Sequence, residues 1–304
     1  MNTDEITKRL AFIKYLYGIG QEQAKKSEPM CWAAILTFHD AVELFLQLVA
    51  EYVKLNERIK DIRFMEYWAL LEPCLKTMGK PELTQKISME RLNKARVDFK
   101  HYGNPPSKNT ITGDFLVNTQ NFFEENALAV FAHKFDDVSL LELVNCKDAK
   151  NELKKAEISM NANKFEEALN AVAKAFVKLI DDYEQRKTDK WGNSPFNLGK
   201  NVTFYERDKF GRDMEKFIDA TESSLEALSE AVKIIGFGID YKRYAKFKTL
   251  TPYVYHYVGG DYDVGDLDEE ISKNLTRDDV SFCIDFVIES ALALQEFDYE
   301  LTHP

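Results

Sequence analysis

The sequence predicts an all-α protein made of helical bundles, in two tandem related halves. Three observations carry that class. Gly and Pro are scarce, 13 and 8 in 304 residues, so few breakers interrupt the chain. Apolar residues recur at spacings of three and four over long stretches, the period of an amphipathic helix. Two helical patterns of the first half also return in the second half, in the same order. The length suits one large or two ordinary domains, and 45% hydrophobic with 12% aromatic residues is enough for real cores.

Taken in chain order, MNTDEITKRL has no apolar h-region, so no secretory signal is expected. A long helix follows, from about Glu28 to Val53. Ser27 suits its N-cap and Pro29 its first turn. Ile35, Phe38, Val42, Phe45, Val49 and Tyr52 form its stripe. No apolar run reaches the roughly 20 residues that span a bilayer, so no membrane contact is expected. A further helix carries Leu92, Ala95, Phe99 and Tyr102 as its stripe, and Gly103 and Pro105 stop it. Residues 134–155 read as a connector between a first domain, 1–133, and a second, 156–304.

The second half repeats the scheme. Phe165, Leu169, Val172, Phe176, Leu179 and Tyr183 stripe a helix over about 164–186. Phe176, Leu179 and Tyr183 align with Phe45, Leu48 and Tyr52 without a gap. TRDDVSFCIDFVIESALA (276–293) lies over TGDFLVNTQNFFEENALA (112–129), with Thr, Asp, Phe, Glu, Ala, Leu and Ala identical. Between these, FKTLTPYV (247–254) weakly echoes FKHYGNPPS, with Thr249 where His101 stands. KWGNSPFNLGKN (190–201) and HYVGGDYDVGDLDEE (256–270) read as loops. Ordered matches that include polar identities point to a tandem duplication with one diverged copy.

Net charge is −11, so the overall field repels nucleic acid and any RNA contact needs a local basic patch. Four scattered cysteines, with no CxxC or Cys/His cluster, predict free thiols in a reducing cytoplasm. Neither a metal site nor a cofactor is expected. P-loop, GxGxxG, HExxH and GxSxG motifs are absent, which leaves NTPases, Rossmann enzymes, zincins and α/β-hydrolases without support.

The segment RVDFKHYGNPPS (96–107) carries the candidate chemistry. Arg96 precedes His101 by five residues, at the end of a helix whose dipole favours a protonated imidazole. The segment is locally basic, with Arg91, Lys94, Arg96, Lys100 and Lys108 against Asp98. Cleaving RNA without a metal needs a proton taken from the 2′-hydroxyl, a proton given to the leaving oxygen, and a grip on the phosphorane. Imidazole moves protons near pH 7, and guanidinium holds phosphate with a planar fork. Five residues along an ideal helix separate two side chains by about 140°. Either the chain leaves the helix before His101, or the two groups serve a site between subunits. One His per protomer also falls short of separate acid and base roles, and a two-fold dimer would supply both.

FHDAVELFLQLVAEY, then ARVDFKHYGNPPS and an apolar helix, resembles the HEPN superfamily of small helical bundles with an R-x(4–6)-H motif. Many members are metal-independent ribonucleases of toxin–antitoxin, abortive-infection and CRISPR systems. The resemblance covers about residues 28–133. It implies Arg96 and His101 as a catalytic pair at a homodimer interface, RNA as substrate, and an antitoxin or other partner protein. Family members often carry Asn directly after the Arg, where this chain has Val97. Glu43 and Asp98 are candidates to orient the pair. Lys94, Lys100, Lys108, Lys242 and Arg243 are candidates to hold RNA, the last two within YKRYAKFK (241–248). His39 and Glu43 form an i, i+4 pair whose plainer reading is structural. The second half, without the His, would be a degenerate copy. The alternative is a helical RNA- or protein-binding module of the same fold that cuts nothing.

Overall fold

The computed structural model describes residues 1–55, 62–192, 194–196, 212–257 and 260–299. It is helical apart from one two-stranded hairpin and divides into two units, Met1–Leu143 and Val144–Pro304.

In the first unit, α1 (Thr3–Lys25) starts on Asn2, whose side-chain oxygen accepts from the Glu5 N–H at 2.8 Å. It packs along α2 (Ala33–Tyr52). Gly20 allows the close approach: a Cβ there would sit 2.6 Å from the Phe38 ring. Helix α2 is buried on nearly every side, with Ala34, Ile35, Phe38, Ala41, Val42, Phe45, Leu46, Leu48 and Val49 fully covered. A helix that is apolar all round belongs in a core. Met30–Tyr52 does have the length and mean hydropathy of a membrane-crossing helix, and here it is the central helix of its unit. Its start differs from expectation. A residue before proline is pushed out of helical geometry, so Glu28 does not begin the helix and Ser27 does not cap it. A 3₁₀ turn, Met30–Trp32, leads into α2 instead.

Next come α3 (Glu66–Thr77), which buries Tyr67, Trp68, Leu71 and Leu75, and α4 (Lys86–Tyr102). Helix α4 buries only Met89 and Leu92. Phe99 is half-buried against Trp32, with ring centroids 6.3 Å apart, and one turn later Tyr102 is 71% exposed. The expected stripe therefore ends at Phe99. Gly103, at φ +69°, closes the helix: its N–H bonds the Phe99 carbonyl at 3.1 Å, and the Asn104 N–H bonds that of Asp98 at 3.2 Å. The final helix α5 (Leu116–Phe131) is entered through a turn at Lys108–Thr110 and a π-helical stretch at Ile111–Phe115. Of the segment expected as a connector, Phe135 and Val138 lie in this unit's core, and Phe135 stacks on Phe123 at 4.7 Å.

In the second unit, α6 (Lys147–Asn161) takes up the end of that segment and packs against α7 (Phe165–Gln185). Then follow α8 (Arg212–Gly236) and α9 (Tyr241–Leu250). The expected loop 256–270 instead contains a hairpin, β1 (Val254–His256) against β2 (Tyr262–Val264), with Tyr255 opposite Asp263. Its Val and Tyr residues favour extended backbone. A short α10 (Glu269–Asn274) precedes α11 (Arg277–Glu296), which Thr276 and Asp279 begin with a capping box. Of the loop expected over 190–201, residues 190–192 and 194–196 form turns, and residues 193 and 197–201 lie outside the described residues.

The aligned stretches make equivalent contacts. Phe45 of α2 meets Phe122 of α5 at 5.3 Å, and Phe176 of α7 meets Phe286 of α11 at 5.5 Å. Four residues on from each of these last phenylalanines a buried polar side chain bonds back to the phenylalanine's carbonyl. Asn126 does so to Phe122, and Ser290 to Phe286, each at 2.7 Å. Each unit thus has a helical hairpin whose second helix packs on the unit's last long helix. Removing a buried phenylalanine side chain costs about 3–5 kcal/mol. Phe122→Ala and Phe286→Ala are each expected to lower the unfolding free energy by that order, read by urea denaturation.

The chain after α11 is held by charge. Asp298 accepts from Arg186 Nη1 at 2.6 Å and from the fully buried Lys187 ammonium. Burial pushes the Asp298 carboxyl up, and the two cations more than reverse this, leaving it below its ordinary value. A depressed carboxylate stabilises the fold above its unfolded pKa, and that contribution is lost as pH falls through the folded value. Asp298→Asn is expected to lower the urea midpoint at pH 7 and to lessen its fall on acidification below about pH 4.

Candidate functional site

Arg96 and His101 both lie within α4, which stays helical through Tyr102. The chain does not leave the helix before His101, so the two side chains project about 140° apart, with a rise of about 7.5 Å between them. His101 is exposed in the last turn, and Arg96 is half-buried one and a half turns earlier. Within one copy the helix directs them to different faces.

Arg96 is a half-buried cation without a carboxylate partner among the described residues. Its Nε is buried and makes no hydrogen bond, and among the described residues it forms no ion pair. Three other arginines are neutralised: Arg9 holds Glu51 in a two-pronged pair, Arg186 holds Asp182 and Asp298, and Arg243 holds Glu289. Arg277 bonds the Asn161 side chain instead, and Arg91 is exposed. Acidic residues outnumber basic ones by 51 to 40, so the missing partner at Arg96 is not for want of carboxylates in the chain.

The proposed orienting residues stand elsewhere. Glu43 lies beside His39, with its carboxylate 3.8 Å from Nδ1, and neither Glu43 nor Asp98 pairs with Arg96 among the described residues. Lys94 and Lys100 are exposed on α4, flanking the Arg–His segment. Lys108 is engaged in the chain: its N–H donates to Glu28 Oε1 at 3.0 Å and its ammonium to the Lys25 carbonyl at 3.2 Å. In the second unit Lys242 is exposed, while Arg243 pairs with Glu289 and lies over the Phe282 ring. Lys248, from the same basic run, pairs with Glu230 at 2.8 Å. That run is partly neutralised within its own unit, and the Thr249 hydroxyl, aligned with His101, donates to the Lys246 carbonyl.

The structure adds a polar contact between α2 and α4 that the sequence reading did not single out. His39, 2% exposed, bonds Asn93 Oδ1 through Nε2 at 3.1 Å, and Phe64 stacks on its ring at 4.2 Å. A His and an Asn each beside a buried apolar residue, Phe38 and Leu92, were the available signal. The second unit also holds a cavity of about 750 Å³, walled by Phe176, Ile180, Leu225, Tyr244, Phe247 and Val254. The Tyr244 hydroxyl at its wall donates to Glu230. Cys31 and Cys283 are buried and Cys74 and Cys146 half-buried, all free thiols. Burial pushes the Cys283 thiol up to about 12, which suppresses its thiolate.

No family model, curated protein or solved structure matches this chain.

Because Arg96 has no partner to lose, an apolar replacement of similar length should not weaken the fold. A buried unsatisfied donor costs about 1–3 kcal/mol. Arg96→Met is expected to match or exceed the wild-type urea midpoint, whereas Arg186→Met, which breaks real ion pairs, lowers it.

Proposed function

We propose that this chain is a HEPN-type, metal-independent RNA-cleaving protein of a defence or stress system, working as a homodimer. The observation that carries the reading is Arg96: a half-buried guanidinium without a carboxylate partner in an acidic chain. A phosphate is the anion its planar fork suits. His101 stands exposed at the end of the same helix, beside the exposed Lys94 and Lys100. One helix directs the pair apart, so the site is assembled between copies. Across a two-fold axis, the Arg96 of one α4 and the His101 of the other converge, and the two imidazoles divide the acid and base roles. One takes the proton of the 2′-hydroxyl as it attacks phosphorus. The other protonates the departing 5′-oxygen, and the guanidinia balance the charge of the phosphorane. The second unit is the diverged copy of the duplication, with Thr249 in place of the imidazole. The protein acts in the cytoplasm, under an antitoxin or similar partner protein.

A non-cutting RNA-binding module is the second reading. The divergence of Arg96 and His101 on one continuous helix favours it, together with Val97 where a polar residue is usual.

Incubation of purified protein with a mixed RNA pool in EDTA separates the two. Cleavage at least 100-fold slower in both Arg96→Ala and His101→Ala is expected if the pair is catalytic. Binding that weakens in Arg96→Ala without any cleavage by the wild type establishes the second reading. Wild-type protein that neither binds nor cuts RNA overturns both.

A further inference from the structure

We infer that His39, Asp40 and Glu43 form a binding site for a divalent transition-metal ion on one turn of α2, a site independent of the RNA reading. The imidazole and the two carboxylates each offer one atom, and the three atoms lie within 4.8 Å of one another. Nδ1 of His39 is 3.6 Å from Asp40 Oδ1 and 3.8 Å from Glu43 Oε2. Bonds of about 2.0–2.2 Å to a central ion place neighbouring ligand atoms roughly 3–3.5 Å apart. Small side-chain rotations of the two carboxylates, which reach solvent, close that gap.

The buried imidazole supplies the independent sign of a ligand. His39 is 2% exposed, and among the described residues its buried Nδ1 has no hydrogen-bond partner. Its Nε2 is engaged by Asn93 Oδ1, an acceptor, so Nε2 carries the proton. In the neutral ring Nδ1 then presents a lone pair, and the groups nearest that lone pair are two carboxylates. Three acceptors facing one another repel. A cation among them turns the repulsion into coordination. The Asn93 carbonyl acts as the outer partner that fixes the tautomer and orientation of a metal-bound histidine, and Phe64, stacked on the ring, holds its plane. One imidazole and two carboxylates suit a borderline ion such as Zn²⁺, with solvent completing the coordination. Through Asn93 the ion would hold α4 at a position three residues before Arg96, which gives it a positioning role and no place in proton transfer.

The test uses the full chain, stripped of metal by chelator and dialysed, then titrated with ZnCl₂ by calorimetry. Asp40→Asn and Glu43→Gln are the variants, because both side chains reach solvent and their loss leaves the core intact; circular dichroism checks their folding. One equivalent of Zn²⁺ is expected, at least tenfold weaker in each variant. The ¹⁵N resonance of His39 Nδ1 is expected to shift on binding, while Nε2 keeps its proton. Absence of binding to the folded chain overturns the site, as does equal binding by wild type and variants. A His39 Nδ1 that carries a proton before and after zinc also overturns it, because the ring would then be an imidazolium paired with the carboxylates.

Discussion

The edge-on contact between a phenylalanine of the central helix and one of the last helix organises the first unit. Phe45 sits between Phe122, Phe123 and Phe131, at 5.3, 5.8 and 5.7 Å. Aromatic edges meeting aromatic faces at these distances add attraction beyond area burial and restrict the angle between helices. With α2 clamped to α5 in this way, and α1 laid against it through Gly20, most of its circumference is occupied. What is left for α4 is a narrow strip that buries Met89 and Leu92 and, less deeply, Ala95 and Phe99. Helix α4 therefore sits high on the unit, and its last turns project with their charged side chains outward. The core determines how much of α4 is covered, and that in turn decides how Arg96 and His101 are presented.

This order of constraints explains what could be read from the chain. The stripe of α2 was legible because a fully buried helix shows its periodicity in every turn, and the match of Phe45 and Phe122 with Phe176 and Phe286 was legible because each pair is one contact of a core. Tyr102 was placed on a buried stripe because spacing alone cannot tell where a helix outruns its support. The start of α2 was misjudged for a local reason: Pro29 suits a first turn, but it restricts Glu28 before it. The hairpin at Val254–Val264 was hidden by the glycines and aspartates of its connection, which outweigh two three-residue strands. The stretch 134–155 lacks a clear stripe because it is shared, a few anchoring residues in one unit and the first turns of α6 in the other.

The site was less legible than the fold, because sequence spacing fixes direction along a helix but not the presence of partners. Glu43 was expected near Arg96 and instead faces His39, since α2 presents residues 39 and 43 on one side. Lys108 and Arg243 were counted as free cations from composition, and both are occupied by groups distant in sequence, the Lys108 ammonium by the Lys25 carbonyl and the Arg243 guanidinium by Glu289. The converse also holds. Nothing in the spacing of Arg96 distinguishes it from Arg243, yet the fold neutralises one and leaves the other without a carboxylate.

Selection for folding alone would remove such a guanidinium. A half-buried cation with an unsatisfied Nε contributes less than a methionine of similar length would. Stability is commonly given up where a group must meet something from outside the chain. The same reasoning applies to His39, where a buried ring nitrogen faces acceptors with no hydrogen-bond donor among the described residues. Both residues belong to the α2–α4 contact, His39 bonding Asn93 and Arg96 lying one turn further along the same helix. Among the described residues of this unit Trp32 Nε1, Trp68 Nε1 and Thr119 Oγ1 are also buried without a hydrogen bond, but only Arg96 and His39 carry groups that suit a charged ligand. The phenolic, carboxylate and ammonium groups on the cavity wall already satisfy one another through Glu230, Tyr244 and Lys248.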